Sequence, residues 1–267
     1  MFRAFDLQGF DESFFASFQN TEGLVKYGRY MTASGKKAVT EALTEIASDK
    51  SVLDGQTIQD SWFPDVEADV MLSHSHGDED EVLMLAGWLK SKFGLTSFVD
   101  SSIWGYAGDL LRMIDDKYCR NANGETYNYA LRNESTSHVH MLLTTALGKM
   151  IHKTECLIFI NTPASIATRQ VVKTQTFSPW IFAELTLAGI VEEVIPKRLV
   201  TDDGWVTANK SAGILKEAEV RRLRVLHTVE NMSRFTAIDG ETLSTWYNEC
   251  EDKGPESLDK LYEVTTR

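Results

Sequence analysis

Cysteine, positive charge and long apolar runs are all scarce in this chain of 267 residues. Its three cysteines, Cys119, Cys156 and Cys250, are too few and too scattered for a disulfide framework. An odd count without CxxC spacing points to a reducing compartment and buried free thiols. No apolar run reaches the ~18–20 residues that a membrane helix needs. The opening residues carry Arg3 and Asp6 and lack the apolar core of a signal peptide. Basic side chains number 27 against 39 acidic ones, a formal charge of -12. That balance argues against a surface that grips a nucleic-acid backbone or an anionic membrane. It leaves room for a small anionic ligand, since a few local donors can hold a phosphate. A soluble, cytoplasmic protein is expected, with no nucleic-acid and no membrane partner. GxGxxG and GxSxG are absent, and Gly35-Lys36-Lys37 lacks the upstream glycine of a phosphate-binding P-loop.

Apolar residues, at 43%, suffice for a proper core, and periodicity divides the chain into two textures. Residues 1–65 read as a helical N-terminal extension. Phe10, Phe14, Phe15 and Phe18 fall at helical spacing behind a candidate cap, Asp11, and a second helix is predicted from Thr32 to Ser48. Asp54-Gly55 reads as a turn, and Trp62-Phe63-Pro64 as an anchor at the entry to the next unit.

Residues 66–267 read as an α/β domain of short apolar runs alternating with helices. Strands are predicted at Val70–Leu72, Thr96–Val99, Cys156–Ile160 and Val194–Ile195. Helices are predicted at Glu81–Phe93, Asp109–Tyr118, His138–Lys153, Ser178–Glu192 and Gly240–Glu251, and Lys216–Leu226 is left open between helix and strand. A polar insertion, about 120–137, interrupts the alternation. The pattern implies a parallel sheet covered on both faces, with its ligand site at the carboxyl ends of the strands. The loops after Leu72, Val99 and Ile160 are therefore where chemistry is expected.

The most informative segment runs from Phe177 to Val191, where Glu184 is the only charged residue. A buried, unpaired carboxylate on a helix apolar nearly all round is costly. Glu184 must face a cleft or a partner, or pair with an Arg or Lys of a neighbouring element. Trp180 stands one turn earlier on the same face, an aromatic wall suited to a flat ring beside a sugar hydroxyl. The pairs His74/His76 and His138/His140 lack a completing cysteine or carboxylate at a metal-site spacing, so no metal is expected.

Four segments carry a resemblance to the TIR (Toll/interleukin-1 receptor) domain family. Asp69-Val70-Met71-Leu72-Ser73-His74-Ser75-His76 resembles the family's opening strand and loop, and Phe98-Val99-Asp100 its second strand and terminal acid. Cys156 to Pro163 resembles a later strand and turn, and Trp180 with Glu184 the family's Trp-x-x-x-Glu helix. The resemblance implies a flavodoxin-like three-layer sandwich around a parallel sheet. It also implies cleavage of the nicotinamide–ribose bond of NAD, as in plant and animal TIR enzymes and bacterial antiphage proteins of the Thoeris type. Glu184 would then be catalytic and Trp180 a pocket wall. His74 and Ser75 would line the cleft and Asp100 its floor. Trp104 and Tyr106, in the glycine-flanked loop Ser101–Gly108, would form a lid or a subunit contact. The first loop is rich in His and Ser where several NAD-cleaving members carry arginine.

One carboxylate suits that reaction. Nicotinamide leaves as a neutral group from a cationic ring, so strong acid assistance is unnecessary. An anion beside the ribose stabilises the oxocarbenium-like centre electrostatically. Water as acceptor yields ADP-ribose, and an internal adenosine group yields a cyclic signal. NAD is then substrate rather than cofactor, and assembly into homo-oligomers or TIR–TIR arrays is implied, with a downstream effector reading the product in antiviral defence or immune signalling. Two other readings stand beside it: a nucleoside deoxyribosyltransferase-like enzyme, and a non-catalytic TIR module that binds a nucleotide or another TIR domain.

Overall fold

A computed structural model describes residues 1–10, 14–15, 22–29, 54–103, 107–166, 175–176, 178–200 and 227–266. Seven strands are described: β1 (Arg3–Gln8), β2 (Val70–Ser73), β3 (Ser97–Phe98), β4 (Cys156–Asn161), β5 (Gln175–Thr176), β6 (His227–Thr228) and β7 (Thr236–Ile238). The α-helices are α1 (Gly55–Trp62), α2 (Glu79–Phe93), α3 (Asp100–Ile103), α4 (Ala107–Tyr118), α5 (Tyr129–Lys153), α6 (Pro179–Ile190), α7 (Gly240–Glu249) and α8 (Ser257–Val264), and residues 22–29 are also helical. The chain forms two compact units. One comprises residues 1–28, 67–99 and 151–267, and the other residues 29–66 and 100–150.

The first unit is α/β, built on a five-stranded parallel sheet in the order β3-β2-β4-β1-β7. One of its interior strands corrects the expectation of a helical N-terminal extension. Arg3–Gln8 is a strand between β4 and β7, paired Arg3 to Cys156 through Gln8 to Asn161. The signal is present in the sequence: Phe5 and Leu7 alternate with Asp6 and Gln8, the two-residue period of a strand. It is overshadowed by the neighbouring run of phenylalanines. The predicted features at Asp11, Phe18, Thr32–Ser48 and Lys216–Leu226 lie outside the described residues.

Alternation along the strands sorts the sheet into two faces. Phe5, Leu7, Val70, Leu72, Cys156, Ile158 and Ile160 enter one core with α2, α7 and α8. Within it Phe93 and Trp246 stack at 4.1 Å, and Trp88 meets Trp246 edge-on at 5.9 Å. Asp6, Met71, Ser73, Leu157 and Phe159 have the opposite parity, and from this face Ser73 reaches Glu184 of α6. Helix α2 carries Glu79, Asp80 and Glu81 in its first turn and Lys90 and Lys92 in its last, the charge order that complements a helix dipole. Its C-cap, Gly94, adopts φ 78°, a left-handed conformation that a residue without Cβ takes readily.

At the amino end of β4, Glu155 receives a bidentate pair of bonds from Arg198, at 2.9 and 2.5 Å, and one from the Tyr262 hydroxyl at 2.8 Å. Arg198 also donates to Asp259 at 2.8 Å and to the Pro255 carbonyl at 2.9 Å. One guanidinium thus ties the sheet to α8. Arg198→Ala should lower unfolding free energy by about 1–3 kcal/mol, because partly buried acceptors lose their donor. Arg198→Lys should recover only part of it, lacking the planar fork. Urea midpoints of the three proteins check both statements.

Val194–Ile195 is not a strand. Both side chains are exposed, and among the described residues the segment makes one backbone bond, from Val194 to the Met1 carbonyl at 3.0 Å. The cysteines are free. Cys119 and Cys156 are buried and Cys250 is half-buried, and burial pushes the Cys156 thiol well up from its ordinary range.

In the second unit, Asp54-Gly55 starts a helix instead of forming a simple turn: Asp54 caps α1 by accepting from the Thr57 amide at 3.0 Å. Trp62 and Phe63 are buried, as their reading as an anchor requires. Asp100–Ile103 is helical where a loop was expected. The polar insertion is shorter than read. Residues 129–137 belong to α5, and only the segment between Cys119 and Asn128 loops out, closed by an Arg120–Tyr127 bridge. Polar residues nearly all round hide that turn of helix. Asn128 fixes it by accepting from the Ala130 and Leu131 amides, at 2.9 and 3.2 Å. Buried Asp115 adds bonds from Arg132 at 2.8 Å and Ser135 at 2.5 Å.

Candidate active site

The connection leaving β2 leads to β3 on one side, while the chain leaving β4 returns to the sheet at β7 on the other. In α/β sheets such a divergence marks the carboxyl ends of the two strands as the usual place for a ligand. The polar residues of β2 and β4 collect there.

Ser73, the last residue of β2, is fully buried, and its hydroxyl donates to Glu184 Oε2 at 2.5 Å. Glu184 itself is only 2% exposed. Helix α6 delivers it. Ser178 caps the helix by accepting from the Ile181 amide at 3.3 Å, Pro179 occupies the first turn, and Arg234 donates to the Gly189 carbonyl in the last turn. Phe182, on the same helix, stacks on His227 of β6 at 4.6 Å. Apolar residues on both sides of Glu184, Ile181, Leu185 and Ala188, are buried, so the helix is seated by its hydrophobic surface and the carboxylate is carried in with it.

The loops after β2 and β4 are laced together. Asp78, 7% exposed, accepts from the Thr162 hydroxyl at 2.7 Å. Ser165 closes the turn after β4 by accepting from the Thr162 amide at 2.8 Å and donating to the Ile160 carbonyl at 3.1 Å. Thr176 in turn donates to the Ser165 carbonyl at 2.9 Å.

Of the residues singled out from sequence, Glu184 meets Ser73, and His74 is next along the chain, nearly buried. Ser75 caps the 3-10 turn His76–Asp78, its hydroxyl accepting from the Gly77 amide at 3.4 Å. Trp180 is half-buried one turn before Glu184. Asp100 opens α3 just past the carboxyl end of β3, in the second unit. Trp104 and Tyr106 lie outside the described residues.

Sequence reasoning missed Asp78, Thr162, Asp6, Gln8 and Asn161. Asp78 and Thr162 sit in loops already marked as ligand-facing, and their polarity was the available signal. Asp6 and Gln8 could be found only by recognising β1. Among the described residues no group of His, Cys, Asp and Glu is arranged to hold a metal ion, and no helix is long and apolar enough to cross a membrane. No family model, no curated protein and no solved structure matches the chain.

Proposed function

We propose that the chain is a TIR-like NAD glycohydrolase or cyclase, acting on the nicotinamide–ribose bond with Glu184 as its catalytic carboxylate. The observation that carries the reading is the buried Ser73–Glu184 bond at the carboxyl end of a parallel strand. Buried carboxylates are expensive and concentrate where chemistry needs them. The sheet lends support to the family reading. If β2, β3 and β4 are counted as the first three strands, their order β3-β2-β4 is the 2-1-3 order with which flavodoxin-like sheets begin. The next two positions belong to β1 and β7, so the N-terminal strand is an addition to the family's minimal plan.

In this mechanism Ser73 fixes the orientation of Glu184, and Glu184 lies beside the ribose of the nicotinamide half. As the bond to the ring nitrogen lengthens, positive charge spreads over the anomeric carbon and ring oxygen. The fixed carboxylate stabilises that charge without reorganising. Nicotinamide departs neutral, and water or an adenosine group of the same molecule takes its place. Trp180 forms a wall for the departing ring. Assembly of several chains completes the site, in the cytoplasm, and the nucleotide product serves as a defence signal.

The test is chromatography of NAD incubated with the purified full chain, from dilute to concentrated. Nicotinamide should appear with ADP-ribose or a cyclic isomer, more per chain as concentration rises. Base release from deoxynucleosides in place of nicotinamide would favour a deoxyribosyltransferase. Intact NAD at every concentration refutes the NAD-cleaving reading.

A further inference from the structure

Asp6 takes no part in the chemistry assigned to Glu184. It lies on β1, only 6% exposed, and both its oxygens accept from side-chain amides: Asn161 at 2.8 Å and Gln8 at 2.5 Å. Among the described residues those are its only side-chain partners, and neither carries charge. A carboxylate in that position forgoes hydration without a counter-ion, so a purely structural role would be better served by an apolar residue. Each carboxylate oxygen has a second lone pair, and the amides of Asn161 and Gln8 each keep a carbonyl acceptor and a second N–H. The cluster therefore offers acceptors on Asp6 beside amide donors and acceptors, and what it fits is a ligand with hydroxyl groups, which both donate and accept.

Register gives its position relative to Glu184. Asp6 pairs with Phe159, and Phe159 pairs with Ser73. The three side chains therefore lie in one row on one face of the sheet, Asp6 two strands from Ser73, about 10 Å. Ser73 holds Glu184. Gln8, exposed at the end of β1, brings the row to the surface. Two carboxylates, one at each end of the row with Phe159 between them, match a ligand with two hydroxyl-bearing rings.

We propose that Asp6, held by Asn161 and Gln8, binds the vicinal hydroxyls of a second ribose, the adenosine-side sugar of a dinucleotide whose other ribose lies at Glu184. A carboxylate accepting from both hydroxyls of a ribose is a recurring solution for nucleotide sugars. The inference rests on the dinucleotide reading of the Glu184 site. It makes Asp6 a binding residue that discriminates ribose from deoxyribose at that position.

The experiment pairs a residue change with a ligand change. ADP-ribose, and ADP-ribose lacking the adenosine 2′-hydroxyl, are titrated calorimetrically into the full chain and into Asp6→Asn. Wild type should bind the deoxy ligand at least tenfold more weakly than ADP-ribose. Asp6→Asn should bind ADP-ribose at least tenfold more weakly than wild type does and should no longer distinguish the two ligands. In turnover its KM for NAD should rise by a similar factor, with kcat within about threefold. Gln8→Ala, at an exposed position, should weaken ADP-ribose binding severalfold and serves if Asp6→Asn does not fold. Equal discrimination by wild type and Asp6→Asn overturns the proposal, as does undiminished affinity in both variants. If wild type cleaves NAD while Asp6→Asn binds and turns over normally, only this inference fails. If ADP-ribose binding depends on Asp6 but NAD is never cleaved, the inference stands and the glycosidic reading falls. If ADP-ribose does not bind at all, this inference is overturned, and the chromatography of NAD decides the glycosidic reading on its own.

Discussion

Glu184→Gln is expected to reduce kcat for nicotinamide release about 10³-fold, with KM for NAD changed little and the fold intact. Glutamine keeps the shape of glutamate and still offers an oxygen to the Ser73 hydroxyl, so the 2.5 Å contact has a neutral substitute. What disappears is the negative charge. Loss of one preorganised electrostatic partner in a buried site typically costs 10²–10³ in kcat, about 3–4 kcal/mol. Glu184 is 2% exposed, so little water is at hand to take over its role. An effect confined to kcat identifies an interaction made in the transition state. Ser73→Ala should be milder, on the order of tenfold, because it removes an orienting donor and leaves the charge in place. Thermal melting should separate chemistry from folding: Glu184→Gln relieves a buried charge and should melt no lower than wild type. Near-normal turnover in Glu184→Gln would remove the carboxylate from the mechanism.

The second large effect concerns the scaffold. Gly28, in helical residues 22–29, and Gly87, in α2, mark a crossing at which backbone touches backbone. A Cβ added at Gly87 would stand 2.2 Å from the Leu24 carbonyl oxygen, and one added at Gly28 would stand 2.2 Å from the Leu83 carbonyl oxygen. Neither obstacle is a flexible side chain that can turn aside. One helix must therefore move away, and α2 carries Val82, Leu85, Trp88 and Leu89 into the core beneath the sheet. Helix propensity works the other way, since alanine gains about 1 kcal/mol over glycine inside a helix. The clash should win. Overpacking of this kind costs about 1–3 kcal/mol and occasionally more, so with the obstacle a rigid backbone Gly87→Ala should lose roughly 2 kcal/mol net and melt about 4–8 °C lower. Gly28→Ala should behave alike. The double variant should lose less than the sum, because helices already forced apart by one methyl group have room for the other. Calorimetric melting of the three variants checks the set, and a raised melting temperature for Gly87→Ala would contradict the crossing.

Much of the scaffold was legible because its signals are local. Apolar spacing in Glu81–Phe93 is met by α2, which adds only Glu79 and Asp80 at its start. The apolar run Cys156–Ile160 is β4, extended by Asn161, and Ser178-Pro179 caps and opens α6 as that pair should. The errors fall where local pattern and tertiary environment disagree. Residues 129–137 have too little apolar character to read as helix, yet Asn128 and Asp115 hold them in one. Val194–Ile195 has the composition of a strand and no place in the sheet, since the position beside β4 is taken by β1.

The site divides along the same line. That Glu184 is a lone charge on an apolar helix can be read from the order of residues alone, because a helix places neighbours at fixed angles whatever surrounds it. Its burial was foreseeable for that reason. Its partner was not: Ser73 is 111 residues away, and a hydrogen bond across that separation depends on how the strands are ordered and which way each pleat points. The same holds for Asp6. Its carboxylate meets Asn161 only because the first strand of the chain pairs with β4 in one particular register, and a shift of one residue would turn Asp6 into the opposite face. Local patterning settles α2, β4 and α6, and that one carboxylate rides inward on an apolar helix. What that carboxylate touches, and that a second one lies in the same row, follow from the folded chain, because strand order and register arise from contacts between distant segments that no local period encodes.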